Sequence, residues 1–493
     1  MIDNKITETV HPSRGKYENG LADWIQLEKA AIALIHLTGT LWFDKSVELL
    51  LFRNQLVDRS ASEILHLHQY AKDIVKKPIN VVDTFMLAKE MNKLDLAPSR
   101  IDIGKLTAEW LAERKNYKNA EEFVIDKLSG FIGKEKRQII PRDIVLYGFG
   151  RIGRLLMREL ISQAGKGEQL RLRAIVTRSN SDEDIQKRAD LLRNDSVHGP
   201  FPGTVIEDYV NKALIVNGHT VYMIAANDPA TIDYNAFGIN NALLIDNTGV
   251  VRDREGLGKH LKSKGISKVL LTAPGKGDVP NVVYGVNENS VSKDETIFSA
   301  ASCTTNAIVP VLAVIEDKLG VERGHIETIH SYTNDQNLLD NYHKKYRRGR
   351  SAALNMVITE TGAAKAVAKV LPNVGERLTG NSVRVPTPDV SLAILNLTLK
   401  KETSKEDINE IMRHAALHGD LVEQIQYSNS NELVSSDLIG NPCAVIFDSQ
   451  ATIVSKDNKS VVLYAWYDNE YGYSRQVIRF AKFIAEVIRL KYY

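Results

Sequence analysis

The chain has 493 residues, and 63 lysines and arginines against 61 aspartates and glutamates leave a formal charge of only +2. Its hydrophobic and charged fractions of 43% and 25% exclude a fibrous or disordered chain, and its length predicts two or three domains. The balanced charge excludes a nucleic-acid binder that neutralises phosphates over a broad surface. Two cysteines are too few for a disulfide framework, which indicates a reducing compartment.

The beginning of the chain lacks the marks of a membrane span or a leader. The apolar stretch 30–43 is too short to cross a bilayer and contains His36. The first twenty residues have no apolar run after a basic start, so they do not resemble a secretory signal. We therefore expect a cytoplasmic protein that binds neither membrane nor nucleic acid.

Residues 1–138 are predicted to form an all-α N-terminal extension, because glycine is sparse and apolar residues such as Leu106 and Trp110 recur at helical spacing. His66 and His68 have no acid or thiol partner nearby in this segment, so we expect both to face solvent. The apolar helical faces suit assembly or regulation, although a small domain that covers its own core is an equally good interpretation.

From residue 139 the pattern changes to short β-rich runs alternating with amphipathic helical segments, which is typical of βαβ units. The predicted buried strands are 143–147, 172–176, 242–246, 268–272 and 296–300. After Cys303 one helix is predicted, over 304–319. It is followed by longer alternating strands at 326–331, 390–400, 444–448 and 461–467 and by a final helical segment. The fold class is therefore α/β, with a Rossmann-type parallel sheet followed by an α+β domain whose sheet is mixed or antiparallel.

A glycine-rich loop follows the first of these strands. Gly148, Gly150 and Gly153 fit G-x-G-x-x-G and precede a predicted helix. In that context the glycines allow a tight turn and close approach of a pyrophosphate to the helix N-terminus. The loop predicts dinucleotide binding, whereas the hexapeptide alone could be a structural turn.

Cys303 is the candidate nucleophile. It lies in the segment SAASCTTN directly before a predicted helix, where the helix dipole favours the thiolate. A lone cysteine is usually buried and inert, but the polar flanks Thr304, Thr305 and Asn306 argue against that here. Cys443 has no such setting and is assigned to packing.

His330 is the candidate base, because it ends a predicted strand and an imidazole close to a thiol can hold it as an ion pair and later accept a proton. Taken alone, one histidine of twelve would more often lie on the surface. Thr361, Gly362 and Arg384 are suited to binding anions. The basic run 344–350 is a weaker candidate, since such runs are usually solvated faces.

Six motifs occur in order along the chain: YGFGRIGR, SCTTN, HSYTNDQ, TGAAKAV, SVRVPTPDVS and WYDNEYGYS. From about Asp143 to the end, the chain therefore resembles phosphorylating glyceraldehyde-3-phosphate dehydrogenase. The resemblance implies a coenzyme domain over 139–301, a catalytic domain over 302–469 and a C-terminal helix, 470–493, that packs on the coenzyme domain. It also implies a homotetramer and a role in glycolysis or gluconeogenesis. The implied reaction uses glyceraldehyde 3-phosphate, inorganic phosphate and NAD or NADP, through a thioester on Cys303 with His330 as base.

The family's ligand roles carry over at matching positions. The resemblance places Gly148, Arg151 and Ile152 at the coenzyme pyrophosphate and Thr248, Gly249 and Thr272 along the coenzyme cleft. It places Asn469 and Tyr473 at the nicotinamide. The substrate phosphate would bind Thr333 and Arg384, and inorganic phosphate would bind Ser302, Thr304, Thr361 and Gly362. Asp335 stands where the best-known glycolytic members have a threonine ligand, but similar bacterial and plastid sequences also carry an acid there.

The end of the second strand departs from the pattern of NAD-specific relatives, which have a ribose-binding aspartate there. Thr177 takes that position, and Arg178 and Ser179 follow with a cation and a hydroxyl suited to a phosphate. We therefore expect NADP to be accepted alongside NAD. Arg178 could instead point into solvent, and the acids at 182–184 could replace the missing carboxylate if the loop folds back.

Two other functions stay open. A dehydrogenase acting on erythrose 4-phosphate would use the same thiol and histidine, although the intact TGAA and RVPTP segments favour the three-carbon substrate. A non-catalytic scaffold, with the extension as its working part, would be expected to lack Cys303 or His330, and both are present.

Overall fold

The structure, a computed structural model, describes residues 12–359 and 362–493 and divides into two compact units. The first unit contains the chain up to Gln138 together with Arg489–Tyr493, and the second is Ile139–Ile488. Among the described residues, every helix is too short or too polar to cross a bilayer.

The first unit is a helical region built around a small sheet. Its helices are Pro12–Lys45 (α1), Ala61–Asp73 (α2), Val81–Lys93 (α3), Ile103–Glu113 (α4) and Ala120–Lys127 (α5). Its strands are Val47–Leu51 (β1), Asn54–Gln55 (β2), Ser99–Asp102 (β3) and the C-terminal strand Leu490–Tyr492. The predicted helical extension is confirmed, but it is not all-α. The strands are short, and one of them comes from the far end of the chain, so periodicity within 1–138 could not reveal the sheet.

Buried polar side chains hold the first unit together. Asp102 is fully buried, caps α4 by accepting from the Lys105 N–H at 3.0 Å, and also accepts from the Phe52 N–H at 2.8 Å. His68 is buried as well, with Nδ1 2.8 Å from the Ile64 carbonyl oxygen and Nε2 3.0 Å from Thr84 Oγ1. The expectation that His68 faces solvent is therefore wrong, because α2 turns this residue toward α3.

The last five residues complete the sheet of the first unit. The C-terminal strand pairs in parallel with β3, Leu490 opposite Ser99. The Arg53 guanidinium lies 4.7 Å from the centre of the Tyr493 ring, and the Arg489 guanidinium lies 4.5 Å from the Trp42 ring. These cation–π contacts anchor both ends of the segment.

The second unit contains two large sheets. The strands of the first are Arg142–Tyr147 (β4), Leu170–Thr177 (β5), Val205–Asp208 (β8), Ala213–Val216 (β9), His219–Ala225 (β10), Ala242–Asp246 (β11), Ile266–Leu271 (β12) and Ile297–Ser299 (β13), and Asn194–Asp195 (β6) and Gly199–Pro200 (β7) form a separate small hairpin. The order is β13-β12-β11-β4-β5-β10-β9-β8, with β4 parallel to both β5 and β11. Apolar clusters cover both faces, as a parallel sheet requires. The predicted Rossmann-type sheet is confirmed.

The second sheet is mixed. Its strands are Val321–Ser331 (β14), Val357–Thr359 (β15), Leu378–Val385 (β16), Ser391–Leu399 (β17), Ile425–Ser428 (β18), Val445–Asp448 (β19), Ile453–Val454 (β20) and Ser460–Tyr467 (β21). Strand β14 is parallel to β16 and antiparallel to β17. This agrees with the predicted α+β domain.

The helices of the second unit are Arg151–Ser162 (α6), Asp182–Arg193 (α7), Arg254–Leu257 (α8), Cys303–Lys318 (α9), Ala363–Val370 (α10), Pro372–Gly375 (α11), Lys405–Leu417 (α12) and Tyr471–Ile484 (α13). Helix α13 packs against α6. The helix predicted over 470–493 is thus shorter than expected. Glu486 has a φ of 60° and the Val487 N–H donates to the Lys482 carbonyl, which closes the helix in a Schellman motif and releases the chain to become the C-terminal strand (β22).

We predict that deleting Arg489–Tyr493 destabilises the first unit, because β3 loses a paired strand and the unit loses four cation–π contacts. The free energy of unfolding of this unit should fall by roughly 2 kcal/mol or more. Hydrogen exchange should accelerate at the amides of β3, and Lys491→Ala, which removes an exposed side chain but keeps the strand, should change it little. Unaltered protection of β3 in the deleted chain would contradict this role.

Candidate active site

The glycine loop lies at the point where the strand order of the parallel sheet reverses, between β4 and β11. Gly148 has a φ of +97°, and a Cβ there would lie 2.9 Å from Thr248 Cγ2. A Cβ on Gly153 would lie 2.7 Å from Asn247 Oδ1, whereas one on Gly150 would meet nothing within 4 Å. The loop is thus closely packed on the protein side and open at Gly150, immediately before α6. This geometry fits a phosphate group at a helix N-terminus.

A cavity of 510 Å³ adjoins this loop. The predicted coenzyme residues that line it are Gly148, Gly150, Thr177, Arg178 and Thr248. The other predicted coenzyme residues do not line this cavity: Arg151, Ile152, Gly153, Gly249, Thr272, Asn469 and Tyr473. Sequence reasoning missed Tyr147, Arg188, Lys259 and His260, which do line it. Tyr147 ends β4 directly before the glycine loop, so its position could have been inferred from that motif, whereas the positions of Arg188, Lys259 and His260 depend on how their segments pack on the sheet.

The acids that could have replaced the missing ribose-binding carboxylate have partners within the protein. Asp182 lies 2.7 Å from Lys212 Nζ, and Asp184 accepts from the Ser181 hydroxyl at 3.0 Å and lies 4.0 Å from the Arg188 guanidinium. Neither they nor Glu183 lines the cavity. The Thr177 hydroxyl donates to the Ser179 carbonyl at 2.7 Å. The end of β5 therefore presents the exposed cation of Arg178, and no carboxylate, to the cavity.

Arg151, predicted at the pyrophosphate, makes ion pairs within the protein. Its guanidinium contacts Glu470 and lies 3.2 Å from Asp195 Oδ1, and these acids raise the pKa of Arg151. Arg151 is also the first residue of α6, so its backbone N–H faces the glycine loop while its side chain braces the start of α13.

Cys303 is the first residue of α9, and it packs against the apolar cores of both sheets. Ser302 caps this helix, its hydroxyl accepting from the Thr305 N–H at 3.0 Å. Ala301, just before the cap, has a φ of 55°, a left-handed conformation that costs about 1 kcal/mol or more outside glycine. The Asn306 amide donates to the Ala300 carbonyl at 2.8 Å and holds this bend. The surrounding packing therefore offsets the free-energy cost of the strained backbone, and the thiol is held at a helix N-terminus between the two domains.

His330 lies at the end of β14, with its Nε2 3.6 Å from Cys303 Sγ. Burial, followed by the nearby Arg384 guanidinium, lowers the pKa of His330 to about 3. Burial also raises the pKa of the Cys303 thiol, an effect that Arg384 only partly offsets. The expected thiolate–imidazolium ion pair is therefore not the favoured form in this geometry. Both shifts favour the neutral thiol and the neutral imidazole over the charged pair.

The partners of His330 Nδ1 allow two positions for the proton of the imidazole ring. This nitrogen lies 2.8 Å from the Ser331 carbonyl oxygen and 2.8 Å from Arg384 Nη1. A proton on Nδ1 satisfies the carbonyl and leaves Nε2 free to accept the thiol proton, whereas a bond from Arg384 places the proton on Nε2. Arg384 also donates to the Ser331 carbonyl at 2.8 Å.

Arg384 is opposite His330 in the β14–β16 register, and its charge acts on both Cys303 and Asp335. Asp335 accepts a hydrogen bond from Thr333 and forms an ion pair with Arg348. The Arg348 guanidinium also donates to Thr359 Oγ1 at 2.8 Å. Sequence reasoning left Arg348 undistinguished within the basic run 344–350, since only the fold shows which of these cations turns inward.

The remaining predicted residues are placed as follows. Thr304 Oγ1 lies 4.0 Å from Cys303 Sγ and 3.0 Å from the Tyr467 hydroxyl, a contact that the sequence did not indicate. The Tyr473 hydroxyl donates to the Ala301 carbonyl at 2.9 Å, and Asn469 Oδ1 accepts from Ser391 at 2.7 Å. Gly362 is exposed at the start of α10, and Thr361 lies outside the described residues. Cys443 is half-buried, and desolvation raises the pKa of its thiol.

The fold and the cleft define the class, a two-domain oxidoreductase that uses a nicotinamide coenzyme. Residues 142–254 match the family model of the glyceraldehyde 3-phosphate dehydrogenase NAD-binding domain, and residues 302–469 match that of the C-terminal domain. The chain belongs to the glyceraldehyde-3-phosphate dehydrogenase family.

Several relatives show how far the similarity extends. A glyceraldehyde-3-phosphate dehydrogenase-like protein of Pseudomonas aeruginosa is 51% identical over 457 residues, 92% of this chain and 98% of that protein. The glyceraldehyde-3-phosphate dehydrogenase of Thermotoga maritima is 44% identical over 68% of this chain and 96% of its own length, and that of Zymomonas mobilis is 38% identical over 70% and 99%. The Pseudomonas match thus includes much of the first unit, which the shorter relatives lack.

We predict that alkylation of Cys303 rises with pH. Because its pKa is raised and His330 is neutral, the thiol form dominates at pH 7, and the iodoacetamide reaction should accelerate about tenfold per pH unit between pH 6.5 and 8.5. His330→Asn should slow the reaction near pH 7 by removing the base, and His68→Asn, at a buried histidine of the first unit, serves as control. A rate that is already constant below pH 7 would show that the ion pair exists after all.

Proposed function

We propose that the chain oxidises glyceraldehyde 3-phosphate, with NAD or NADP and inorganic phosphate, to 1,3-bisphosphoglycerate. The observation that carries the proposal is the 3.6 Å contact between Cys303 Sγ and His330 Nε2, beside Arg384. A nucleophile, a base and a cation for phosphate therefore meet at the junction of the two domains. This set of groups serves acyl transfer through sulfur.

In the first half-reaction, the Cys303 sulfur adds to the aldehyde carbon as His330 takes the thiol proton. This forms the carbon–sulfur bond of a hemithioacetal. The N-terminus of α9 stabilises the developing negative charge on oxygen. His330 returns the thiol proton to the alkoxide oxygen, which becomes the hydroxyl of the hemithioacetal, and takes it back as the hydride leaves the carbon, which becomes a thioester. The bound nicotinamide coenzyme supplies the acceptor for that hydride.

In the second half-reaction, inorganic phosphate attacks the thioester carbon. The carbon–sulfur bond breaks, the acyl phosphate leaves, and the Cys303 sulfur recovers its electron pair. Dividing the oxidation in this way replaces one difficult step by two easier ones. Arg384 lies closest to His330 and is assigned to the substrate phosphate together with Thr333. Ser302, Thr304, Thr361 and Gly362 are assigned to inorganic phosphate.

Asp335 lies beside the residues assigned to the substrate phosphate, and its negative charge is paired with a cation. Its ion pair with Arg348 and its bond from Thr333 lower the pKa of Asp335, so it is ionised but neutralised. A phosphate that enters can bind Arg384 and compete for Arg348. The acid therefore orients an arginine and does not block the site.

We predict that Cys303→Ser lowers the rate of coenzyme reduction by at least about 10³, as expected when covalent catalysis is lost. Mass spectrometry of the wild type, mixed with aldehyde and coenzyme but no phosphate, should show an acyl group on Cys303 that phosphate removes. Cys443→Ser is the matched control and should retain activity. An acyl group on another residue would refute the assignment. Comparing the phosphate-dependent turnover of glyceraldehyde 3-phosphate with that of erythrose 4-phosphate decides between the two aldehydes.

For the coenzyme, we propose that NADP is accepted at least as well as NAD. Arg178 and Arg188 both line the cavity beside Thr177, and none of the carboxylates at 182–184 does. A 2′-phosphate at the adenosine ribose would meet cations there, without the repelling carboxylate that NAD-specific relatives carry.

Arg178→Ala and Arg188→Ala should each raise the KM for NADP more than the KM for NAD, and Thr177→Asp should shift the preference toward NAD. The kcat/KM ratio of the two coenzymes measures this. Lys276→Ala, at a cation outside the cavity lining, is the control for a general change of charge. A wild type that prefers NAD by more than about a hundredfold, roughly 2.7 kcal/mol, would overturn the proposal.

We also propose that the catalytic units assemble as a homotetramer. Within 338–358, large apolar side chains are 55–89% exposed, namely Leu338, Leu339, Tyr342, Tyr346, Leu354, Met356 and Ile358. An exposed apolar set of this size in one segment marks a protein–protein interface, and a second copy of the chain is the partner that the family resemblance implies.

A further inference from the structure

Helix α1 extends well beyond the rest of the first unit. It has 34 residues, about 50 Å at 1.5 Å per residue, and its second half packs against α2 and α3. In its first half, residues 17–26 are exposed on every side of the helix. We call the segment 17–29 the overhang.

The overhang carries an apolar stripe that continues a buried face of the same helix. Tyr17, Trp24, Ala31 and Thr38 recur every seven residues. Ala31 and Thr38 are 0% and 2% exposed, whereas Tyr17 and Trp24 are 71% and 48% exposed. A seven-residue repeat keeps these positions along one side of a helix that packs on another helix. The side of α1 that the first unit covers in the second half is therefore bare in the first half.

Neighbouring positions widen the stripe. Leu21, Ile25 and Ile32 are 45%, 40% and 57% exposed. Polar residues such as Asn19 and Gln26 lie on the opposite side. A helix segment of this length is marginal in water by itself, and Gly20 within it costs about 1 kcal/mol relative to alanine. Covering the stripe would supply the stability that the isolated segment lacks.

We propose that the overhang pairs antiparallel with the overhang of a second copy of this chain. An amphipathic helix with one apolar stripe is complementary to itself through a two-fold axis, and the midpoint of the stripe lies between Trp24 and Ile25. Two such stripes would bury on the order of 1,000 Å² in total, the lower limit of a specific interface. That area suits a contact that reinforces an assembly whose copies are already held together elsewhere.

Glu28 shows how the pair would be aligned. It occupies the stripe seven residues after Leu21 and seven before Ile35, and it is exposed. In an antiparallel pair centred between Trp24 and Ile25, it lies opposite Leu21 of the other copy. One polar residue in an otherwise apolar seam fixes the register and costs stability. Glu28→Leu should therefore strengthen the pair, while Leu21→Glu with Trp24→Glu should abolish it.

The test measures the distance between spin labels on two copies of the full-length chain. Cys303→Ser and Cys443→Ala first remove the native cysteines. One label is then attached at a single new cysteine, either Glu18→Cys or Asp23→Cys. In the antiparallel pair, the axial offset between the two labels should be about 15 Å larger at position 18 than at position 23, because each residue adds 1.5 Å on each helix. The label-to-label distance should therefore be clearly longer at position 18. Leu21→Glu with Trp24→Glu should remove the coupling. Asn19→Glu with Gln26→Glu, which adds the same charge to the opposite side, should preserve it.

Equal distances at the two positions would show a parallel pair, and absent coupling would show that another partner or none covers the stripe; either result overturns the proposal. Sedimentation and dehydrogenase activity of the unlabelled wild type are measured alongside. An active enzyme without coupling counts against the helix pair alone. An inactive enzyme with coupling counts against the proposed function alone.

Discussion

The chemistry of the second unit depends on the contact between Cys303 and His330. The two residues are carried by different elements, the start of α9 and the end of β14, and the sulfur and Nε2 lie 3.6 Å apart. The strained backbone at Ala301 turns the chain from β13 into α9, and the pairing of β14 with β16 brings Arg384 beside the imidazole. Both apolar cores contact Cys303, so repacking either one would move the nucleophile.

Burial determines the charge state of this site and imposes a desolvation cost on its charged groups. The same desolvation that lowers the pKa of His330 raises the pKa of Cys303, so the resting site avoids separating charge in a region of low dielectric. Arg384 contributes a half-buried cation whose own pKa is lowered by desolvation. An anionic substrate would offset that penalty, which makes the site better suited to phosphorylated ligands than to neutral ones.

The first unit is tied to the far end of the chain. Strand β3 pairs with β1 on one side and with β22, almost four hundred residues later, on the other. The edge of β3 therefore stays open until residues 490–492 have been synthesised. A sheet that closes over so long a separation in sequence forms late, since the loop-closure entropy must be met first. This arrangement makes the integrity of the first unit sensitive to Arg489–Tyr493, which belong to it but follow the second unit in the sequence.

Local sequence determined the elements whose signal is local. The strands of the Rossmann-type sheet, the glycine loop and the helix at Cys303 follow from patterns within about ten residues, and the structure has them within a few residues of the predicted limits. Only the tertiary structure decided which distant groups meet. Arg188 reaches the coenzyme cavity, Arg348 turns toward Asp335, His68 is buried, and residues 490–492 become a strand of the first unit instead of helix. These outcomes depend on packing between elements far apart in sequence, and periodicity along one segment carries no information about the partner that will cover it.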